Sequence, residues 1–139
     1  MRPLLALVFL SAVGCAHLGQ ERIREETRLS VGRWQAACGD GVFEYVTRLE
    51  VKSAALAHGI LGAAGVGMGV APPGVSWVLI NRDADWSAYD LGTVLDHELG
   101  HVLGLVHTNQ KAGRPLMRPQ RDVGDRVVPE AADCPPAGP

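Results

Sequence analysis

The residues with the clearest chemical potential form one run, His97-Glu98-Leu99-Gly100-His101-Val102-Leu103-Gly104-Leu105-Val106-His107. On a helix turning about 100° per residue, His97 and His101 stand one turn apart on one face, with Cβ atoms about 5–6 Å apart. Two imidazoles so placed can bind one zinc ion at about 2.0–2.1 Å. Glu98 follows the first histidine directly, where its carboxylate can reach a metal-bound water without becoming a ligand. Gly104 permits the left-handed backbone that ends a helix and would swing His107 round as the third ligand. Three histidines leave a fourth position open, the mark of a catalytic rather than a structural zinc site. The competing reading is a helix whose histidines satisfy only local hydrogen bonds. Against it, Leu91, Leu95, Leu99, Val102 and Leu103 supply an apolar back face, so core packing does not need the histidines.

The elements that must position this run can be read on either side of it. Gln20 to Arg28 is a charged stretch, expected as a solvated helix or a tether. Val42-Phe43-Glu44-Tyr45-Val46, with Leu49 and Val51 beyond, has the aromatic and β-branched content of a strand. Ser53 to Leu61 reads as a short helix, with His58 outside any ligand spacing. The segment from Gly62 to Gly74 is rich in glycine and proline, giving a loop or an irregular edge strand. Val75-Ser76-Trp77-Val78-Leu79-Ile80 is the clearest strand. Ser87-Ala88-Tyr89-Asp90 resembles a capping box for the histidine helix, with Asp90 as the alternative cap. After Met117 the prolines at 119, 129, 135, 136 and 139 leave little room for a long final helix. These elements predict an α/β (α+β) domain, a small twisted sheet packed on the helix that carries the ligands.

The histidine run matches, without substitution, the long motif of the metzincin zinc endopeptidases, and the chain resembles that family. The family's methionine turn has a counterpart in Pro115-Leu116-Met117-Arg118-Pro119. Thr108 after the third histidine and Pro119 two residues after the methionine make the likeness closest to the matrixins. The match is tight over residues 81–119 and loose elsewhere. It implies a minimal matrixin-like peptidase with a reduced zincin-type fold, one catalytic Zn2+ on His97, His101 and His107, and Glu98 as general base. It also implies Met117 as a hydrophobic floor and a protein or peptide substrate. By position, the loop before Val75 would pair with an extended substrate, and Pro119 to Arg121 would wall its specificity pocket. Arg121 stands where matrixins often carry an aromatic residue. Asp83 and Asp85 lack the surrounding oxygen ligands of a full calcium motif and read instead as a surface turn feeding Trp86 inward.

At the N-terminus, Met1 and Arg2 precede an apolar run from Leu4 to Val13, the build of an export signal and too short to span a membrane as a mature helix. It ends in Ala12-Val13-Gly14-Cys15, which resembles a bacterial lipobox. Two readings stay open: lipidation of Cys15 after removal of residues 1–14, or ordinary signal cleavage near Ala16 with secretion. The first makes the protein an envelope lipoprotein anchored to the outer membrane. The organisation expected is a signal over 1–14, a tether over 15–28, and a catalytic domain over 29–139 with a proline-rich tail. Of 13 lysines and arginines only Arg2 lies in the removed segment, so the formal net charge moves from −2 to −3, which argues against a nucleic-acid partner. A monomer is expected. With Cys15 acylated, Cys38 and Cys134 remain as an even pair in an oxidising compartment and are expected to form a disulfide, worth about 4–5 kcal/mol at best in the chain-entropy model. Cys38-Gly39 lacks the other residues of a matrixin latency motif. The alternative to a protease is a zinc-binding envelope lipoprotein with a non-proteolytic role.

Overall fold

The histidine run begins on helix α2, Leu91–Val102, and ends on the segment that follows it. The structure is a computed structural model describing residues 18–108 and 115–136; the expected lipidation site, Cys15, lies outside these residues. Among them the chain forms α1 (Gln20–Cys38), β1 (Leu49–Ala54), β2 (Gly62–Val66), β3 (Ser76–Asn81) and α2, followed by short 3-10 turns at Pro115–Met117 and Ala131–Asp133. This is a small α+β arrangement of two helices on a three-stranded sheet of order β1-β3-β2. No helix among the described residues is long and apolar enough to cross a membrane.

β3 is central because its residues can be buried on both faces. Trp77, Val78 and Ile80 are all buried. It pairs parallel to β1, Leu49 opposite Ser76, and antiparallel to β2, Gly62 opposite Ile80. The small residues of β2 serve close packing: a Cβ on Gly65 would lie 2.6 Å from Cζ2 of Trp77. Asn81 stitches the chain entering β2, its Nδ2 donating to the Ile60 carbonyl at 2.7 Å and its Oδ1 accepting from Leu56 N at 3.4 Å. The following turn carries Trp86 into the core, where its indole N–H donates to the Asn81 carbonyl at 2.8 Å.

Several expectations are corrected. α1 runs unbroken through the boundary placed at residues 28 and 29, because Ile23, Ser30 and Trp34 recur on one face and are buried together. Most charged side chains of Gln20 to Arg28 point to solvent, while Glu26 turns inward to Arg33, so of the two readings, solvated helix or tether, the stretch takes the helix, docked by one face. Val42 to Val46 is not strand. The N–H groups of Val42, Glu44 and Val46 are consumed by turns, bonding the carbonyls of Gly39, Gly41 and Phe43, as the chain reverses after α1. Ser53 to Leu61 is not helical; Ser53 and Ala54 complete β1, where pairing with β3 overrides local preference. Asp90, not Ser87, caps α2, its Oδ1 accepting from Thr93 N at 2.8 Å.

Cys38 and Cys134 are bonded, with sulfurs 2.08 Å apart. The tail has further ties: Gly124 N donates to the Ala88 carbonyl at 3.0 Å and Val127 N to Thr93 Oγ1 at 3.0 Å. These bonds hold the segment after Met117 along α2.

Candidate metal centre

Every residue of α2 from Leu91 to Gly100 is buried, including His97 and Glu98. The helix therefore has no solvated stripe over that stretch; its apolar residues face the sheet and α1, and its histidine face is roofed by β2 and the tail. α2 ends in a Schellman arrangement. Leu105 N donates to the Gly100 carbonyl at 2.9 Å and Gly104 N to the His101 carbonyl at 3.0 Å, with Gly104 at φ +90°. A Cβ would be strained at that φ, so glycine is the residue that lets the chain double back and present His107.

The three imidazoles converge through their Nε2 atoms. The separations are 3.1 Å for His97 and His101, 3.1 Å for His101 and His107, and 3.2 Å for His97 and His107. The other ring nitrogens decide the protonation. Nδ1 of His97 lies 2.6 Å from the Leu116 carbonyl and Nδ1 of His101 lies 2.8 Å from the Leu105 carbonyl. A carbonyl only accepts, so both Nδ1 atoms carry the proton, and in the neutral rings both Nε2 atoms present lone pairs. Two lone pairs facing each other at hydrogen-bond distance repel unless a cation lies between them. Tetrahedral coordination at about 2.0–2.1 Å separates neighbouring ligand nitrogens by about 3.3–3.4 Å, close to the spacing found. The three histidines are thus placed to hold a metal ion, and the backbone carbonyls that orient two of them supply the supporting shell such ligands need.

Burial, reinforced by the neighbouring His101, Arg121 and His107, pushes His97 down to about 4, so its ring is neutral at physiological pH. His107 is lowered as well, chiefly by burial. Glu98 moves the other way: burial pushes its carboxyl up to about 8, against a partial pull from Arg121. It sits under the edge strand so closely that a Cβ on Gly62 would come 2.8 Å from its Oε1.

Glu98 and the three histidines open into one cavity of about 670 Å³, walled by Gly59 to Ala64 on one side and Arg118 to Asp122 on the other. Pro119 and Arg121 lie on that wall, and the opposite edge is β2 within the glycine-rich stretch before Val75. Met117 is buried against the helix floor, where a Cβ on Gly100 would meet its Sδ at 2.6 Å. Its carbonyl accepts from Thr108 N at 2.9 Å, which ties the turn to the strand of chain carrying His107. His58 is on an exposed turn. Asp85 is engaged by the N–H and hydroxyl of Ser87 at 3.0 and 2.5 Å.

Sequence reasoning missed four contributors. The Leu116 and Leu105 carbonyls carry no side-chain signal. Gly62 is one glycine among many. Arg118 had a signal that went unused: from Leu99 to Arg121 there is no acidic residue, while Lys111, Arg114, Arg118 and Arg121 are all basic. No family model, curated protein or solved structure matches the chain.

Proposed function

We propose that this protein is a zinc-dependent endopeptidase of reduced, matrixin-like type. One observation carries the reading: Glu98, a buried carboxylate that metal binding by three histidines does not require, shares an open cavity with three convergent imidazole nitrogens. His97, His101 and His107 hold the ion, and an all-nitrogen set of three imidazoles suits zinc. When bound, the metal supplies Lewis acidity and positive charge, which acidify water, polarise a peptide carbonyl and draw the Glu98 carboxyl down from about 8. Glu98 accepts a proton from the attacking water and returns it to the departing amine. β2 and the wall from Arg118 to Asp122 confine an extended peptide between them, and Met117 closes the floor by packing.

Purified protein covering residues 20–139 is expected to bind one zinc per chain and to digest casein, with activity removed by a chelator and restored by zinc. Stoichiometric zinc with no turnover of any unfolded protein would replace the protease by a metal-binding envelope protein. Export and lipidation of Cys15 belong to the same reading. Palmitate labelling in a bacterial host is expected for the wild type and not for Cys15→Ser, and labelling of neither would make the protein a soluble exported one.

A further inference from the structure

The wall of the cavity beyond Met117 carries two guanidinium groups. Arg118 and Arg121 both line it, and both have a buried Nε without a hydrogen-bond partner. One amino group of Arg121 is used by the protein, donating to the Leu116 carbonyl and, at 3.4 Å, to the Arg118 carbonyl. That fixes the guanidinium beside His97, whose Nδ1 is 3.3 Å away, without neutralising it. Among the described residues neither arginine has a carboxylate partner within ion-pair distance. Asp122 and Asp125 lie near Arg121, Asp122 at the exposed rim, and Glu98 is the one carboxylate on the cavity floor. With a divalent ion on the histidines, the charge around the cavity is strongly positive, and a desolvated guanidinium fork matches a planar carboxylate in two parallel hydrogen bonds.

Resting on the peptidase reading above, we propose that Arg118 and Arg121 form a carboxylate-binding subsite beside the metal centre. The preferred substrate presents a carboxylate next to the scissile bond, either an acidic side chain or the peptide's own C-terminal carboxylate. The wall where the matrixin likeness places a specificity pocket thereby becomes an anion pocket. Arg121 acts on specificity directly and also steadies the carbonyl that orients His97.

The test uses three fluorogenic peptides of one length: an amidated peptide with glutamine beside the cleavage position, the same peptide with glutamate there, and the glutamine peptide with a free C-terminus. Each is assayed for cleavage by the zinc-loaded wild type and for binding to zinc-loaded Glu98→Gln by fluorescence anisotropy. At least one carboxylate peptide is expected to be preferred about tenfold or more in both assays. Which of the two is preferred tells an acidic side chain from a terminal carboxylate. Arg118→Gln and Arg121→Lys keep the readout interpretable, because the first leaves the Leu116 and His97 contacts alone and the second keeps a charge. The preference ratio is expected to collapse towards one in Arg118→Gln and to survive in part in Arg121→Lys. Equal cleavage of all three peptides would overturn the subsite and leave the peptidase standing. Selective binding to Glu98→Gln with no cleavage by wild type would uphold the subsite and overturn the peptidase. Neither cleavage nor selective binding would overturn both.

Discussion

Helix α2 buries acidic groups on two sides, and the two are built on opposite plans. On the side facing α1, Asp96 is fully enclosed and fully engaged: Ser30 Oγ donates to one carboxylate oxygen and Arg33 Nε to the other at 2.7 Å. Trp34 adds a bond from its indole N–H to the Asp96 carbonyl at 3.1 Å, and Arg33 is shared with Glu26 at 3.0 Å. Burial still pushes the Asp96 carboxyl up to about 6, against the pull of Arg33 and Ser30. On the side facing β2, Glu98 is buried without such donors among the described residues, and the Nε2 atoms of three imidazoles converge on one point. A closed polar network locks two helices together; an open one, its acceptors converging on a cavity, waits for a ligand. Asp96 and Glu98, two positions apart, thus lie one in a closed network and one on an open cavity according to what surrounds them.

The largest effect expected from breaking this contrast is on the open side. Glu98→Gln should retain stoichiometric zinc while proteolysis falls at least about a hundredfold, the low end for removing a general base. His101→Ala should instead lose the metal, since two imidazoles hold zinc poorly. Metal analysis and casein digestion of both variants check this, and wild-type digestion by Glu98→Gln would remove Glu98 from the chemistry. Asp96→Asn tests the closed side. It leaves Arg33 facing Glu26 alone across a buried surface, and stability should fall by about 3 kcal/mol, the low end for breaking a buried pair because Arg33 keeps some solvent. Urea unfolding measures the loss, with zinc stoichiometry at saturating metal unchanged.

Much of the open side was legible in the sequence, and little of the closed side was. The histidines, Glu98 and Gly104 lie within one helix and the turn after it, so spacing alone determines which of them meet. Met117, Pro119 and Arg121 are read from the matrixin resemblance, by their positions after His107. The Asp96 network joins residues more than sixty positions apart, Ser30 and Asp96 by a separation of 66, and no local pattern announces it. The strand misplaced at Val42 and the helix misplaced at Ser53 fail for a related reason. Each was judged on local preference, while the outcome was set by where α1 ends and by the partner β3 offers. The disulfide between Cys38 and Cys134 was reached by counting cysteines, which requires no knowledge of distance.

The two carboxyl groups should also part company in their dependence on pH. In the metal-free protein Glu98 titrates near 8 when folded, well above the ordinary value of 4.5. A raised folded pKa contributes stability that is complete below the unfolded value and is lost as pH rises through the folded one. Wild-type metal-free protein should therefore lose about 2 kcal/mol relative to Glu98→Gln between pH 6 and 8, one proton's worth of linkage across that window. Taking the difference between the two proteins cancels His97, whose folded pKa of about 4 gives stability present above its ordinary 6.5 and lost on acidification. Thermal unfolding of both at several pH values gives the comparison. A constant difference would mean that Glu98 already has donors on the open side. Saturating zinc should flatten the curve, because a neighbouring cation favours the ionised carboxyl.

The smallest effect concerns the position where both sides share a boundary. Gly100 lies between them, facing Met117 of the metal-site floor and Trp34 of α1. A Cβ there would meet Met117 Sδ at 2.6 Å, Met117 Cε at 3.2 Å and Trp34 Cζ2 at 3.3 Å. Glycine inside a helix costs about 1 kcal/mol relative to alanine, so Gly100→Ala gains that much from the backbone. Overpacking a buried site costs about 1–3 kcal/mol. Here the cost should prevail, because the clash falls on the middle of the methionine side chain and the Trp34 ring closes one direction of retreat. The net expectation is a loss of about 1 kcal/mol, read by urea unfolding. Met117→Val, which lacks the sulfur and its methyl, should convert Gly100→Ala from destabilising to neutral or stabilising. If Gly100→Ala is equally costly in the Met117→Val background, Met117 does not impose the glycine, and the backbone path of α2 beside Trp34 must.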